Sequence, residues 1–263
     1  MQHRTVPGVV AVALLAAVAL GSARACPLEP AGTVTVRSVA DGRWFTATDS
    51  RDIRLAGIVP PSEGSSGATM ARATVETMLL GREVSLFRAV SGPARDRYGR
   101  LLAVASTGGK AIETSVQHAL LERGLARTAG DISDEGCRTV LLRAEATARA
   151  AALGVWSDPA YVIQKTDDPA AVLSGLGRFS VVEGKVLSVR ESGGTIYLNF
   201  GRRWSEDFTG TVAMRHKRSF SAAKLELKKL AGRYIRLRGT IEERGGPWIE
   251  LVHPGQIEVL EQP

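Results

Sequence analysis

The chain has 263 residues, a length that fits one large domain or two small ones. With 44% hydrophobic and 23% charged residues, its composition is that of an ordinary soluble globular protein and not of a low-complexity chain. Of the net charge of +7, Arg4 and Arg24 lie in the first 25 residues, and the remaining charge is spread over both halves of the chain. This charge allows an anionic partner without requiring one.

The first 25 residues have the pattern of a cleaved secretory signal peptide. A positively charged start precedes an almost wholly apolar run over residues 6–20, which is too short for a comfortable membrane span. Ala23-Arg24-Ala25 then has the form of a signal-peptidase site. Two alternatives are an uncleaved anchor and a lipoprotein with Cys26 as its lipidated first residue. The pattern predicts a periplasmic or secreted mature chain without a membrane span.

Only two cysteines are present, Cys26 and Cys137. Two cysteines in an oxidising compartment predict one disulfide, which would tie the new amino terminus to a late segment of the first domain. The alternative is two unpaired thiols.

Residues 26–165 are predicted to form a first domain. Alternation and turn-forming residues predict strands over residues 33–36, 44–48, 53–59, 83–87 and 101–106. Helical spacing predicts helices over residues 68–80, 112–123 and 137–153, each followed by a glycine. Five short strands with a helix after the third predict a closed Greek-key barrel of the oligonucleotide-binding type.

One turn in this domain has a composition suited to phosphate binding. Gly99 suits a tight turn, and the apolar run that follows it suits a buried strand. Tyr98 and Arg100 would stand at the entrance of that strand. An arginine there can bind a phosphate bidentately, and a ring beside it can stack on a base. The alternative is a hairpin turn with a solvated arginine.

Several motifs in the first domain occur in a recognisable order. They read ADGR, IRLAGIVPP, DRYGRLLAV, LLERGLAR and AEATARAAALGVW. In this order they resemble the staphylococcal nuclease (thermonuclease-like) family, over roughly residues 31–158. The resemblance implies an oligonucleotide-binding barrel with carboxy-terminal helices. It also implies a family whose active members are calcium-dependent phosphodiesterases that cleave DNA and RNA.

The resemblance assigns roles to three residues of this chain. Arg54 and Arg100 match the two catalytic arginines of the family, and Tyr98 matches a tyrosine that contacts the nucleotide. Since arginine forks pair with phosphate oxygens, these residues predict a site for phosphate or nucleic acid.

Other positions depart from the family pattern. Arg43 and Val59 stand where the two metal-binding aspartates belong, Ser62 stands at the glutamate, and Gly130 stands at a tyrosine. Calcium needs six to eight oxygen ligands with carboxylates among them, so we expect no metal ligands and no cofactor here, although active family members use calcium. A slip of one residue in the loop would bring Glu63 to the glutamate position without restoring a calcium ligand.

Three functions follow from this combination. The first is an exported protein that binds nucleic acid or another anionic, phosphate-bearing partner with a degenerate calcium site. The second is an active phosphodiesterase that uses other residues or another metal, so enzymatic activity stays open. The third is an envelope scaffold whose barrels bind a protein. The alternative to phosphate binding is that Arg54 and Arg100 are surface arginines of the barrel paired with acids such as Asp96.

Residues 166–263 are predicted to form a second domain after a linker at residues 165–171. Strand-like runs, with a short helix over residues 225–230, predict a second small oligonucleotide-binding-like barrel, which makes the protein mainly β with helices. Ile235 and Leu237 would face the core, with Arg236 and Arg238 outward. The stretch YLNFG…DFTG resembles a domain that follows nuclease-like domains in some bacterial secreted proteins.

A basic and aromatic binding face is one hypothesis for the second domain, and a solvated surface over an aromatic core is the other. Its candidate residues are Arg202, Arg203, Arg215, Lys217 and Arg218 with Tyr197, Phe200 and Trp204.

Overall fold

The computed structural model describes residues 26–89, 94–132, 134–203 and 205–260. The predicted signal peptide at residues 1–25 and Trp204 lie outside the described residues. Within the described part, no helix is long and apolar enough to cross a membrane. The chain is mostly β-sheet with a few helices, which confirms the predicted fold class.

The first domain is built on a closed five-stranded barrel. Among the described residues, the domain has seven strands: β1 (Leu28–Val39), β2 (Trp44–Ala47), β3 (Asp52–Leu55), β4 (Ile58–Val59), β5 (Glu83–Ala89), β6 (Leu101–Ser106) and β7 (Arg127–Thr128). Its helices are α1 (Ser66–Leu79), α2 (Val116–Glu122) and α3 (Glu135–Ala150). Strands β4 and β7 form a separate two-stranded sheet. The barrel closes in the order β1-β2-β3-β6-β5, and all neighbours are antiparallel except β3 and β6, which are parallel. The predicted barrel is therefore confirmed.

The strand predicted over residues 53–59 is two strands. Gly57 separates β3 from β4 with φ +84°, a conformation that side chains rarely adopt. A Cβ at this glycine would also lie 2.6 Å from Cδ1 of Ile132. After this bend the chain leaves the barrel, and β4 pairs with β7 instead.

A disulfide joins Cys26, just before β1, to Cys137 in the first turn of α3. Asp134 caps the helix at this point, because its Oδ1 accepts from the backbone N of Cys137 at 2.8 Å. The bond closes a loop of sequence separation 111. A loop of this length restricts the unfolded chain and contributes about 4 to 5 kcal/mol in the chain-entropy account.

The second domain consists of two sheets. Its strands are β8 (Gln164–Lys165), β9 (Phe179–Lys185), β10 (Ser188–Ser192), β11 (Thr195–Asn199), β12 (Thr209–Ala213), β13 (Tyr234–Thr240), β14 (Glu242–Arg244), β15 (Gly246–Glu250) and β16 (Ile257–Val259). Its helices are α4 (Pro169–Leu173) and α5 (Lys217–Ala222). One sheet has the order β10-β11-β12-β15-β14 and the other has the order β16-β13-β9-β8.

At two places the chain crosses between these two sheets through very short connections. Only residues 186–187 separate β9 from β10, and residue 241 alone separates β13 from β14, so the chain passes from one sheet to the other at both places. Both sheets bury side chains in one core that includes Phe208, Phe220 and Leu237. The described strands form two sheets rather than one closed sheet, and the second oligonucleotide-binding-like barrel stays a prediction.

Two local predictions in the second domain are wrong. Residues 225–230 form no α-helix: α5 ends before them at Ala222, Lys224 takes φ +57°, and only a short 3-10 turn, Leu227–Leu230, follows. The stretch 165–171 is no free linker. Its start pairs with β9, and Val172 of the following α4 is buried in the second core.

A buried ion pair joins the two domains. Arg238 of β13 is 1% exposed, and its Nη1 donates to both carboxylate oxygens of Glu145 in α3, at 2.8 and 2.9 Å. Its Nη2 donates to Glu258 at 2.9 Å, and Glu145 also accepts from the backbone N of Thr128. Burial opposes the charge on Glu145, but Arg238 and these hydrogen bonds lower the pKa of that carboxyl.

Arg236 and Arg238 point away from the second core, as the alternation of β13 predicted, but acids cover both side chains. Arg236 is paired with Glu183 and Glu258, and Arg238 is paired across the domain boundary with Glu145. A charge removed from water is tolerated when such partners satisfy it.

We expect Arg238→Met to lower the free energy of unfolding by about 3 to 5 kcal/mol, because it leaves the Glu145 carboxylate buried without its cation. Urea unfolding followed by circular dichroism measures this change. Arg37→Met, at an exposed arginine, is the control and is expected to shift the midpoint little. Adding Glu145→Gln to Arg238→Met should recover part of the loss. A change below about 1 kcal/mol in Arg238→Met would contradict a stabilising role.

Candidate functional site

The parallel pairing of β3 with β6 brings Arg54 and Arg100 together. Arg54 pairs with Leu102, whereas Arg100 directly precedes β6. Both guanidinium groups approach the same oxygen, because Arg54 Nη1 lies 3.8 Å and Arg100 Nε lies 2.8 Å from Asp96 Oδ2. The two predicted arginines therefore converge on one carboxylate.

A third arginine reaches the same place from the turn between β1 and β2. Asp41 Oδ1 fixes this turn by accepting from the backbone N of Arg43 at 2.6 Å and of Trp44 at 2.9 Å. The backbone oxygen of Arg43 in turn accepts from the N of Leu55. Arg43 therefore stands beside Arg54.

These side chains surround an open cavity of about 520 Å³. Its lining contains four arginines, two aspartates and two aromatic residues, namely Arg43, Arg54, Arg97, Arg100, Asp41, Asp96, Trp44 and Tyr98. Because the cations outnumber the anions, the cavity suits an anionic ligand. All three of the predicted site residues, Arg54, Tyr98 and Arg100, line it.

Asp96 holds the turn that carries Tyr98 and Arg100. Its Oδ1 accepts from the backbone N of Tyr98 at 2.9 Å and of Arg100 at 3.1 Å, while its Oδ2 accepts from Arg100 Nε. Gly99 closes the turn at φ +81°. Burial alone would raise the pKa of Asp96, but these hydrogen bonds lower it overall. Asp96 is therefore a charged positioning residue in this turn.

Asp131 is a site residue that sequence reasoning missed. Its Oδ2 lies 3.6 Å from Arg54 Nη2 and 3.9 Å from Arg43 Nη2, and its Oδ1 accepts from the backbone N of Gly57 at 2.8 Å. It follows Gly130, which the motif comparison had assigned to a lost tyrosine. The only available sequence indication was an acidic residue just after β7.

Arg43 and Arg54 retain unused hydrogen-bond donors. Their ion pairs are 3.6 to 3.9 Å long, and among the described residues neither guanidinium donates a hydrogen bond. Nε of Arg43 is buried without a partner in that part of the chain. Such a donor costs free energy unless a ligand or water satisfies it. The alternative prediction was that the arginines are paired with acids such as Asp96. Arg54 does approach Asp96, but this ion pair leaves hydrogen-bond donors of its guanidinium unused by the described residues.

The three guanidinium groups are partly shielded from water. The side chains of Arg43, Arg54 and Arg100 are 22%, 20% and 24% exposed. Burial, together with the nearby Arg54, lowers the pKa of Arg43 to about 10, while Asp131 and Asp41 oppose this change. Arg43 thus stays charged at neutral pH, and the limited exposure strengthens its attraction for an anion.

Two aromatic rings flank Arg100. Its guanidinium carbon lies 5.1 Å from the ring centroid of Tyr98 and 5.6 Å from that of Trp44. Arg97 lies over Tyr98 as well, at 4.7 Å. Tyr98 is 66% exposed, so much of this ring remains available to a ligand.

The other family positions lie apart from this cavity. Val59 is part of β4 and pairs with Arg127, and the backbone N of Ser62 donates to the hydroxyl of Tyr161 at 3.0 Å. Glu63, the proposed substitute for the glutamate, is exposed and does not line the cavity. Within the described residues, one clustered ligand set contains Cys26, Asp134 and Cys137, and its two cysteines form the disulfide.

The second domain packs against the segment that carries Asp131. A Cβ at Gly130 would lie 2.7 Å from backbone atoms of Gly255 and Gln256, so a side chain at this position would collide with the second domain. The neighbouring His253 interacts electrostatically with Asp131 and Arg54. Burial lowers the pKa of His253, which keeps this imidazole neutral at pH 7.

The turn at residues 96–100 should depend on pH in a defined direction. Since the folded pKa of Asp96 is depressed, its hydrogen bonds are present above the ordinary carboxyl pKa of 3.8 and are lost only as the pH falls below that value. The backbone amide shifts of Tyr98 and Arg100 in an NMR titration should show this midpoint. Asp96→Asn is the control that removes the transition. A midpoint at or above 3.8 would contradict the assignment.

Comparison with known proteins identifies the first domain. Residues 52–158 match the model of the family described as Staphylococcal nuclease homologue, a segment that contains Arg54, Tyr98 and Arg100 but begins after Arg43. The comparison with curated proteins found no match. The chain therefore carries a domain of the staphylococcal nuclease homologue family, as its ordered motifs predicted, and this family indicates a nuclease-like or nucleic-acid-binding function.

Proposed function

We propose that the barrel domain binds phosphate groups of nucleic acid, or of another phosphate-bearing partner, through arginines and without calcium. The observation that carries this proposal is the convergence of Arg43, Arg54 and Arg100 on one cavity with unused donors. The protein would act outside the cytoplasm as a binding protein rather than as a hydrolase.

The arginines suit a phosphate group for geometric reasons. A guanidinium presents five N–H donors in a planar fork that matches two oxygens of a phosphate. Arg54 holds only long ion pairs, so its fork can turn toward a ligand at small cost. Arg100 is oriented by Asp96 through its Nε, which leaves its two terminal nitrogens for the ligand.

Tyr98 and Trp44 favour a nucleotide over a bare phosphate. Both rings line the same cavity as the arginines. Base stacking on an aromatic ring contributes about 1 to 3 kcal/mol for each base. A nucleic acid offers phosphates and bases together, and it therefore satisfies both kinds of lining residue.

The donor set does not fit calcium. One oxygen of Asp41 accepts from two backbone N–H groups. One oxygen of Asp131 accepts from the backbone N of Gly57, and the other forms the ion pairs with the arginines. The guanidinium of Arg43 beside Asp131 would repel a cation. The carboxylates of this site therefore do not fit a calcium ion.

Water activation has little support in this cavity. The lining offers Asp41 and Asp96 as its acids; Asp96 uses both oxygens in hydrogen bonds that hold its turn, and Asp41 uses one, which leaves Asp41 Oδ2 as the one carboxylate oxygen of the lining without such a bond among the described residues. A general base must reach the attacking water with a free acceptor, and Glu63 lies outside the lining. The cavity therefore supports binding of a phosphate better than its hydrolysis.

The Cys26–Cys137 disulfide supports the exported location. Disulfides persist in oxidising compartments such as the periplasm and the extracellular space. Together with the signal-peptide pattern of residues 1–25, it favours a periplasmic or secreted protein.

We expect Arg54→Ala/Arg100→Ala to weaken the binding of single-stranded DNA by about tenfold to one hundredfold, since two phosphate contacts are lost. The slope of log affinity against log salt concentration should also become less steep, by the amount that corresponds to about two lost phosphate contacts. Fluorescence anisotropy of a labelled oligonucleotide measures both quantities.

The matched control for this experiment is Arg37→Ala/Arg82→Ala, which removes two exposed arginines outside the cavity. Equal losses in the two double variants would mean that the cavity is not the binding site. Divalent-cation-dependent degradation of DNA that disappears in Arg100→Ala would instead establish an active phosphodiesterase.

We expect Asp131→Asn to tighten DNA binding by about threefold to tenfold. The change removes the carboxylate charge that competes for Arg43 and Arg54, an effect of about 1 kcal/mol for partly exposed pairs. The asparagine oxygen can still accept from the N of Gly57, so the local fold should persist. Unchanged or weaker binding in the same anisotropy assay would show that Asp131 does not compete with the ligand.

A further inference from the structure

We propose that the second domain carries its own groove for single-stranded nucleic acid, separate from the arginine cavity of the barrel. This groove is a cavity of about 1010 Å³ over the sheet β10-β11-β12-β15-β14. Its decisive residues are Tyr197 and Trp248 with Arg190, Arg202 and Arg244.

The strand register places these rings on the outer face of the sheet. Ile196 and Leu198 of β11 and Ile249 of β15 are buried in the core, so the alternate residues Tyr197 and Trp248 point the other way. The two rings form an edge-to-face pair with centroids 6.4 Å apart and an interplanar angle of 83°. They are half-buried rather than covered, and the outer face thus carries an aromatic platform.

Arginines border this platform. Arg190 is paired with Tyr197 in the register of β10 and β11, and the guanidinium carbon of Arg244 lies 4.2 Å from the ring centroid of Trp248. Arg190 and Arg202 are exposed and make no ion pair with any residue that the structure describes. The single acid of the lining, Asp207, is occupied by the backbone N of Arg203. The groove is therefore electropositive.

One buried polar atom at the groove lacks a partner. Nε1 of Trp248 is buried and has no hydrogen-bond partner in the described part of the chain. A buried indole N–H ordinarily finds an acceptor, and a bound ligand can supply one.

The combination of rings and unpaired arginines selects the ligand class. Phosphates of a single strand can pair with Arg190 and Arg202 while its bases stack on the aromatic platform. A duplex keeps its bases stacked and cannot offer them to the rings. A neutral sugar would leave the arginines unused, and an acidic peptide would leave the rings without bases.

The groove differs from the basic and aromatic face that the sequence suggested. Arg202 and Tyr197 belong to it, but Phe200 packs on the second core. Arg215 and Lys217 are paired with Glu250 and Glu191. The groove also includes Arg190, Arg244 and Trp248. These residues lie on strands that are distant in sequence and are brought together by the pairing of the sheet.

The test uses the full chain carrying Arg54→Ala/Arg100→Ala, so that the barrel cavity contributes little. A labelled oligothymidine of about ten nucleotides, within the usual site size of such grooves, is the probe. We expect this protein to keep measurable affinity by fluorescence anisotropy at low salt. Adding Arg190→Glu/Arg202→Glu should weaken binding by tenfold or more. Adding Arg218→Glu/Arg233→Glu, an equal charge change at exposed arginines outside the groove, should have a much smaller effect.

A second probe tests the rings. An abasic oligomer of the same length keeps the phosphates but removes the bases, and we expect it to bind at least fivefold more weakly than oligothymidine. Tyr197→Leu should remove most of that difference while circular dichroism shows an intact fold.

The proposed groove would be contradicted if the two double substitutions to glutamate weakened binding equally. Equal affinities for the abasic oligomer and oligothymidine would contradict it as well. Preferential binding of a neutral oligosaccharide or of polyglutamate would overturn it as well. Loss of all DNA binding on Arg54→Ala/Arg100→Ala alone would also overturn it, yet that result would support the barrel cavity. The two proposals therefore fail separately.

Discussion

The parallel register of β3 and β6 is the constraint on which the barrel site depends. Ile53 opposes Leu101, so Arg54 and Arg100 come from adjacent strands and meet at the same carboxylate. A slip of one residue would turn Arg54 toward the core and the apolar side chain of Ile53 toward the cavity. The register is fixed because Ile53 and Leu55 are fully buried. The packing of the barrel core thus determines where the charged groups converge.

Charge balance is the second constraint on the site. Three neighbouring guanidinium groups repel one another, and Asp96 and Asp131 offset that repulsion in the free protein. A bound phosphate would supply the same negative charge with better hydrogen-bond geometry. Arg43 adds a third positive charge to the site, and this charge balance favours an anionic ligand.

Local patterns predicted much of the first domain, because strand alternation, helical spacing and ordered motifs are properties of short segments. Arg54 and Arg100 were found in this way. Asp131 was not, because its contact with Gly57 spans 74 residues and leaves no local pattern. The acids around Arg236 and Arg238 were missed for a related reason. Alternation shows which side chains leave the core, but it does not show that acids of the neighbouring strands cover Arg236 or that Glu145 of the other domain covers Arg238.

The most direct test of the central claim is the affinity of the wild-type protein for a short single-stranded oligonucleotide, measured by isothermal titration calorimetry in chelator and in millimolar calcium. We expect the same affinity in both solutions, no heat of calcium binding and an intact oligonucleotide after the titration. Tighter binding with calcium, or calcium-dependent cleavage of the oligonucleotide, would contradict it.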